Sequence, residues 1–302
     1  MTTAFVLSGG GSLGAVQVGM MQALAERRIE PDLLVGASAG SLNAVFVAQH
    51  GFDTATLERL ASVWRSLRRR DVFPFSPLRY AEALIGRSPS LCAPDQLRHL
   101  VGQHVTSRRL EDARIPVRVV ATDVLSGTEV CLSSGDVVDA VMASAAIPAV
   151  FPPVSIDGAL LFDGGVADNT PISQAVENGA DRVVVVPAGV ACALAEPPRT
   201  ALAIALHALT LLIEGRLALD VAAYADRAEL IVLPPLCPLS VASTDFSHAA
   251  ELIDRARVAT GAWLDGDRHK LPNPERFLAL HRHDGGAGAT PLAGDQSIVR
   301  RR

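Results

Sequence analysis

Lysine is almost missing from this sequence. Of 27 basic residues only Lys270 is a lysine, so lysine-based covalent chemistry has one candidate position. Cysteine is scarce too: Cys92, Cys131, Cys192 and Cys237 are widely spaced and form no C-x-x-C pair. That spacing argues against a zinc site and against a disulfide framework, and free, buried thiols are the expectation. Positive charge is not in excess: 27 basic against 32 acidic residues gives a net charge of −5, the wrong sign for a protein that neutralises nucleic-acid phosphates. The N-terminal stretch lacks a basic n-region, and its apolar run is short for a signal peptide. The longest apolar segment, Ala201–Leu219, is interrupted by His207, Glu214 and Arg216, which favours a buried or amphipathic helix over a membrane span. These absences together point to the cytoplasm. No internal repeat is visible.

What is present is core material: 49% hydrophobic and 20% charged residues in 302 exclude a disordered chain. Short β-branched runs (Phe5–Ser8, Asp32–Val35, Pro116–Thr122, Arg182–Pro187, Leu230–Pro234) alternate with helical stretches (Ala15–Arg27, Ser41–Gln49, Val137–Ala145, Glu251–Leu264). Thr128–Leu132 is a partner for the third run. Such alternation predicts an α/β fold, three-layer α/β/α with a largely parallel central sheet. A single domain over 1–283 with a disordered, glycine-rich tail over 284–302 is the expected organisation. Val72–Pro94, with four prolines and no clear period, reads as a lid-like excursion near the sheet edge.

Two loops carry the chemistry. Gly36-Ala37-Ser38-Ala39-Gly40 fits G-x-S-x-G between a strand and a helix. A serine on so sharp a turn needs small neighbours, and the helix N-terminus behind it presents free N–H groups. Ser38 is either a nucleophile or merely a helix N-cap, and Ser41 competes for the capping role. The other loop, Gly9-Gly10-Gly11-Ser12-Leu13-Gly14, contains G-x-G-x-x-G directly after the first strand. It reads as a dinucleotide fingerprint with Glu30 or Asp32 as the ribose acid, as an oxyanion-holding nest of amides, or as a plain tight turn. Both loops leave the carboxyl ends of strands and converge if those strands are adjacent. Two donor sets around one serine suit acyl transfer better than a cofactor, and Asp32 opens its strand where a ribose acid would end it.

The serine needs a proton acceptor. None of the eight histidines (His50, His99, His104, His207, His248, His269, His281, His283) lies in a loop after a core strand. Asp163, in Leu161-Phe162-Asp163-Gly164-Gly165, follows an apolar run and is backed by two glycines that permit close approach. Asp168 ranks below it, before a predicted N-cap at Thr170 and a first helical residue at Pro171. A dry pocket raises a carboxylate's pKa toward that of a useful base. The run Ala145–Pro153 offers an apolar wall for such a pocket, and a fatty chain could lie against it.

In order, a glycine loop, G-A-S-A-G, A-S-A-A-I-P-A-V-F-P-P and D-G-G-V-A-D-N-T-P resemble the patatin-like phospholipases, in particular their bacterial members. The likeness runs from Phe5 to about Ala180 and more loosely to about Leu264. The resemblance implies a serine–aspartate dyad lipid acyl hydrolase without a catalytic histidine, metal or cofactor. Ser38 would be the nucleophile and Asp163 the base. The loop Gly9, Gly10, Gly11, Ser12 and Gly14 would form the oxyanion hole, with the Gly10 and Gly11 amides as its main donors. Gly36 and Gly40 would shape the elbow, and Gly164 and Gly165 the base loop. The family usually has Arg or Lys before the last loop glycine, where this chain has Leu13. That departure predicts a preference for neutral esters or lysolipids. It also keeps open a second class of function, a lipid- or acyl-binding regulatory protein on the same scaffold. Expected partners are a lipid or acyl-ester substrate and, transiently, a membrane surface met through Val72–Pro94 or Ala201–Leu219; nucleic acid is not expected.

Overall fold

The computed structural model describes residues 1–194 and 196–266. Lys270, His269, His281, His283 and the tail expected over 284–302 lie outside the described residues. In chain order the elements are β1 (Thr3–Leu7), α1 (Gly14–Glu26), β2 (Leu33–Ala37), α2 (Ala39–His50), α3 (Thr54–Ser66), α4 (Arg69–Val72), α5 (Pro77–Leu84), α6 (Asp95–His104), β3 (Val117–Asp123), β4 (Glu129–Leu132), α7 (Val137–Ser144), β5 (Val154–Ile156), β6 (Ala159–Asp163), α8 (Gly165–Asp168), α9 (Ile172–Glu177), β7 (Arg182–Val186), α10 (Ala201–Tyr224), β8 (Glu229–Val232) and α11 (Ala249–Asp265).

The strands pair in the order β5-β6-β3-β2-β1-β7-β8, with β4 on β3. The run β3-β2-β1-β7-β8 is parallel, and β4, β5 and β6 are antiparallel additions. All five residues of β1 and of β2 are buried, as parallel strands covered on both faces require. The strands feed two cores by alternation. Phe5, Leu7, Leu34, Val184 and Val186 face a large core shared with α1, α2, α3, α7 and α11. Ala4, Val6, Val35, Val183 and Val185 face a second core with Ile172 and Ala175 of α9 and Leu217 and Val221 of α10. The molecule is therefore the three-layer α/β/α sandwich that the alternating pattern predicts.

The local readings need three adjustments. Val72–Pro94 contains a regular helix, α5, started by Pro77 after the Ser76 cap, whose side chain accepts from the Arg79 amide. Ala201–Leu219 lies within a longer helix whose Leu217 and Val221 are buried, while Ile204, Leu212 and Leu219 are exposed. No described helix is long and apolar enough to cross a membrane. Finally, only Cys92 is fully buried; Cys131 and Cys192 are half-buried and Cys237 is exposed, and none of the four forms a disulfide.

One detail of register positions the site. On β3, Val119 and Val120 pair with Gly36 and Ala37 of β2 on one edge and with Leu132 and Cys131 of β4 on the other. Ala121 and Thr122 keep β4 but exchange β2 for Asp163 and Phe162 of β6. Strands β2 and β6 thus occupy the same edge of β3, end to end and running toward each other. Their last residues, Ala37 and Asp163, sit at successive register positions, roughly 3.3 Å apart along the strand. Whatever follows Ala37 must meet Asp163.

Candidate active site

Ser38 follows Ala37 and has φ 50° and ψ −124°. A non-glycine residue at positive φ costs on the order of 1–3 kcal/mol and persists only where its surroundings enforce it. The enforcement is visible. Ser144 Oγ accepts from the Ser38 amide at 2.9 Å and donates to the Val120 carbonyl at 2.6 Å, pinning the turn to β3. Gly40 lies against β1 so closely that a Cβ there would be 2.2 Å from the Leu7 carbonyl, and one on Gly36 would be 2.6 Å from that of Gly40. Ser38 stands at the N-cap position of α2 but makes no capping hydrogen bond. Ser41 is not the cap: it lies inside the helix, and its hydroxyl donates to the Ser38 carbonyl at 2.7 Å.

The Ser38 hydroxyl is instead directed at a carboxylate. It donates to Asp163 Oδ2 at 2.7 Å, and the Gly165 amide donates to Asp163 Oδ1 at 2.8 Å. Both side chains are buried, Ser38 at 7% and Asp163 at 6% exposure. Burial raises the Asp163 pKa to about 6, against the opposing pull of its hydrogen bonds from Ser38 and Gly165. No described histidine contacts either residue; His104, whose pKa burial lowers, lies along the wall of an apolar pocket. Asp168 is five residues on and apart from the cavity. It is buried, accepts from Ser173 Oγ at 2.9 Å, and is pushed up to about 7 by burial and by neighbouring Glu129. Its predicted cap geometry shifts by one position, since Pro171 rather than Thr170 is the N-cap of α9.

The glycine loop lies directly against the serine: a Cβ on Gly9 would be 3.0 Å from Ser38 Cβ. The predicted set of five loop residues separates on inspection of its amides. Gly9 donates to the Asn169 carbonyl at 3.1 Å and Ser12 to that of Ser243 at 2.8 Å. Gly14 donates back into the loop, to Gly11 and Ser12, and packs under the Trp64 ring. These three are therefore removed from the expected donor set, because their N–H groups are spent on holding the loop. No acceptor among the described residues takes the amides of Gly10 or Gly11. Gly11 has φ +58°, and a Cβ there would strike the Ser243 carbonyl at 2.3 Å, so only glycine holds this turn. The dinucleotide alternative loses its ribose acid, since Glu30 and Asp32 both precede β2. Asp32 accepts from the Thr3 amide at 2.8 Å, at the opposite end of the strands from both loops.

Five supporting residues are not singled out by the motifs. Asn169 joins the base loop to the glycine loop through both its backbone and its side chain, whose Nδ2 donates to the Gly9 carbonyl at 3.4 Å. Ser144 was visible within A-S-A-A-I-P, but its use as a clamp depends on β3. A buried Gln17–Asn43–Trp64 chain floors the loop: Gln17 donates to the Ser8 and Val186 carbonyls, Asn43 to Gln17, and Trp64 to Asn43. The available signal is an amide residue set among apolar neighbours in each of two helices, Gln17 in α1 and Asn43 in α2.

Two cavities meet at Ser38. An outer cleft of about 450 Å³ is lined by Gly10, Gly11, Ser38, Asp163 and Asn169 on its floor, with walls from the α4–α5 segment, α10 and Ile147-Pro148. An inner pocket of about 100 Å³ runs between α2, α3, α6 and α7, with Leu42, Val45, Leu60, Val101, Val141 and Phe151 among its walls. Gly11, Ser38, Phe73 and Ile147 line both. The apolar lining residue Phe75 is exposed, and the two walling segments carry further exposed apolar side chains, Leu78 on α5 and Ile204 and Leu212 on α10. Among the described residues no group of three or more His, Cys, Asp or Glu side chains is arranged to hold a metal.

Comparison with known proteins bears on this geometry. An uncharacterized NTE family protein of Mycobacterium tuberculosis is 33% identical over 183 residues, covering 61% of this chain and 48% of that protein. The Cryptococcus neoformans lysophospholipase NTE1 is 31% identical over 195 residues, covering 61% of this chain but only 11% of that protein. The chain thus spans less than half the length of these relatives. Among solved structures, VipD of Legionella pneumophila aligns with a TM-score of 0.43 and 16% identity, over 88% of this chain and 67% of that one. The family profile described as patatin-like phospholipase matches residues 5–176, from β1 through the elbow and the base loop, and on that span the chain belongs to the patatin-like phospholipase family.

Proposed function

We propose that this protein is a lipid acyl hydrolase that cleaves fatty acyl esters through a Ser38–Asp163 dyad. The observation that carries this reading is the 2.7 Å hydrogen bond between a strained, uncapped serine and a buried aspartate. As Ser38 Oγ attacks the ester carbonyl, its proton passes to Asp163 Oδ2, and the carbonyl oxygen, now an oxyanion, is held by the Gly10 and Gly11 amides. Collapse of the tetrahedral intermediate breaks the ester C–O bond, and the alcohol leaves with the proton from Asp163. Water then repeats the sequence on the acyl-enzyme, giving up a proton to Asp163 and releasing the fatty acid. Each oxyanion donor contributes about 2.7–4 kcal/mol in serine hydrolases. The regulatory-protein alternative does not explain why two amides with no acceptor among the described residues lie beside a strained serine aimed at a buried carboxylate.

A fluorophosphonate probe tests the reading, because only an activated serine is phosphonylated. Wild-type protein is expected to label at Ser38, with a rate that rises with pH through an apparent pKa near 6 as Asp163 ionises. Absence of labelling across pH 5–8 would leave a binding protein.

The inner pocket suits the acyl chain, being apolar and open at Ser38. Val101→Phe, on α6, is expected to fill it. Hydrolysis of long-chain p-nitrophenyl esters should fall about tenfold or more while acetate and butyrate esters are spared, at an overpacking cost of roughly 1–3 kcal/mol. A uniform loss across chain lengths would place the chain elsewhere.

A further inference from the structure

We propose that Arg69 and Arg70 form a phosphate-recognition site at the mouth of the outer cleft, so that the substrate is an acyl ester carrying an anionic phosphate on its alcohol side. This inference rests on the acyl hydrolase reading for what the cleft holds, but on different residues. Both arginines line the same cavity as Ser38, and both are exposed. The three consecutive arginines 68–70 are used differently. The Arg68 guanidinium donates to the carbonyls of Arg65, Ser66 and Leu67 and so closes the end of α3. Arg69 has no carboxylate partner among the described residues, and Arg70 has only its neighbour Asp71, at 3.9 Å. One oxygen of Asp71 is already held by the Arg68 amide at 2.8 Å.

The surrounding charge agrees. Among the described side chains Asp163 is the only carboxylate lining the cleft. Arg79 adds a third guanidinium behind the wall: it donates to Ser90 Oγ at 3.1 Å, and with Arg69 it bears electrostatically on Cys92, a lining residue. In a chain of net charge −5 this opening is a local cationic field, which draws anions and excludes cations. Guanidinium forks match phosphate oxygens bidentately. The glycine loop, Gly9 to Gly14, has no basic side chain and cannot supply the cation. Arg69 and Arg70 would supply a cation from α4 instead, opposing the preference for neutral esters expected from Leu13.

The test separates this inference from the dyad. Binding of two non-hydrolysable ethers, 1-O-octylglycerol 3-phosphate and 1-O-octylglycerol, is measured by calorimetry on wild type and on Arg69→Gln/Arg70→Gln, below the micellar range. Wild type is expected to bind the phosphate at least tenfold more tightly than the neutral ether. The double variant should lose that difference, and 0.5 M NaCl should weaken the phosphate alone. In parallel, hydrolysis of 1-acylglycerol 3-phosphate should lose about ten- to a hundredfold in kcat/KM, chiefly through KM, while monoacylglycerol turnover and fluorophosphonate labelling stay unchanged. Equal binding of the two ethers by wild type, or a phosphate preference that survives the double substitution, overturns the site and leaves the dyad standing. Arginine-dependent phosphate binding without any labelling of Ser38 does the reverse.

Discussion

Asp163→Asn is expected to yield a more stable protein with almost no turnover. The loss of rate should be on the order of 10⁴-fold or more, as for other serine hydrolases deprived of one member of the proton-transfer unit. The gain in stability follows from the cause of the raised pKa, which is burial. The folded state holds the Asp163 proton up to about 6, whereas the unfolded chain releases it near 3.8. Stability from the protonated form is therefore complete below pH 3.8 and is lost as pH rises toward 6. Above that, the buried charge costs up to about 3 kcal/mol. Asparagine carries no such cost, so its advantage should appear at pH 8 and vanish at pH 4, as read by urea unfolding at the two pH values. Ser38→Ala should be equally inactive but behave oppositely. It keeps the charge and removes a hydrogen bond that favours it, so it should lose stability at pH 8. Stabilisation of Asp163→Asn by the same amount at both pH values would remove buried charge as its source, and near-native turnover by either variant would remove the dyad.

Gly164→Ala should be among the most damaging single methyl additions at the described glycines. Its Cβ would lie 2.1 Å from the Val120 carbonyl oxygen and 2.8 Å from the Val120 carbonyl carbon, both backbone atoms of the central strand β3. Backbone in mid-sheet cannot swing aside as a side chain can, so the junction where β2 and β6 meet must open. The cost is expected at or above the upper end of ordinary overpacking, about 3 kcal/mol. A displacement of about 1 Å between serine and carboxylate should lower kcat by on the order of 10²-fold. Gly102→Ala is the matched control. That glycine lies within α6 with nothing near its virtual Cβ, so alanine there should stabilise by up to about 1 kcal/mol and leave activity alone. Urea midpoints and ester turnover at saturating substrate report both effects. If Gly164→Ala folds with wild-type stability, close approach is not what that glycine provides.

Some features were legible locally because a local cause produces them. The elbow serine is marked by its small neighbours, since bulk at positions 36, 37, 39 or 40 would prevent the turn. The base loop is marked by two glycines after an apolar run for the same reason. The helices α3 and α6 went unread: each is amphipathic, but both lie in the charged stretch between the elbow and β3 where no motif draws attention. Loop amides were legible only as a group. Which of them remain open depends on Asn169 and Ser243, more than 150 residues away in the chain. Likewise Arg68, Arg69 and Arg70 are indistinguishable in sequence; their uses diverge because α3 ends at Ser66 and leaves three carbonyls for the first arginine to satisfy.

Periodicity by itself determined the layered α/β class; the glycine-flanked motifs marked the two turns at strand ends and nominated Ser38 and Asp163, whose roles as nucleophile and base came from the family resemblance. The class and the turns follow from hydrophobic or steric demands that act within a few residues. Tertiary structure alone decided that these two side chains meet, because β2 and β6 share one edge of β3 and end at adjacent register positions. It also decided which amides stay unspent and which arginines face the cleft. The first two outcomes rest on pairings across 125 residues and more, which no short window of sequence carries, and the third on where α3 ends and which elements wall the cleft.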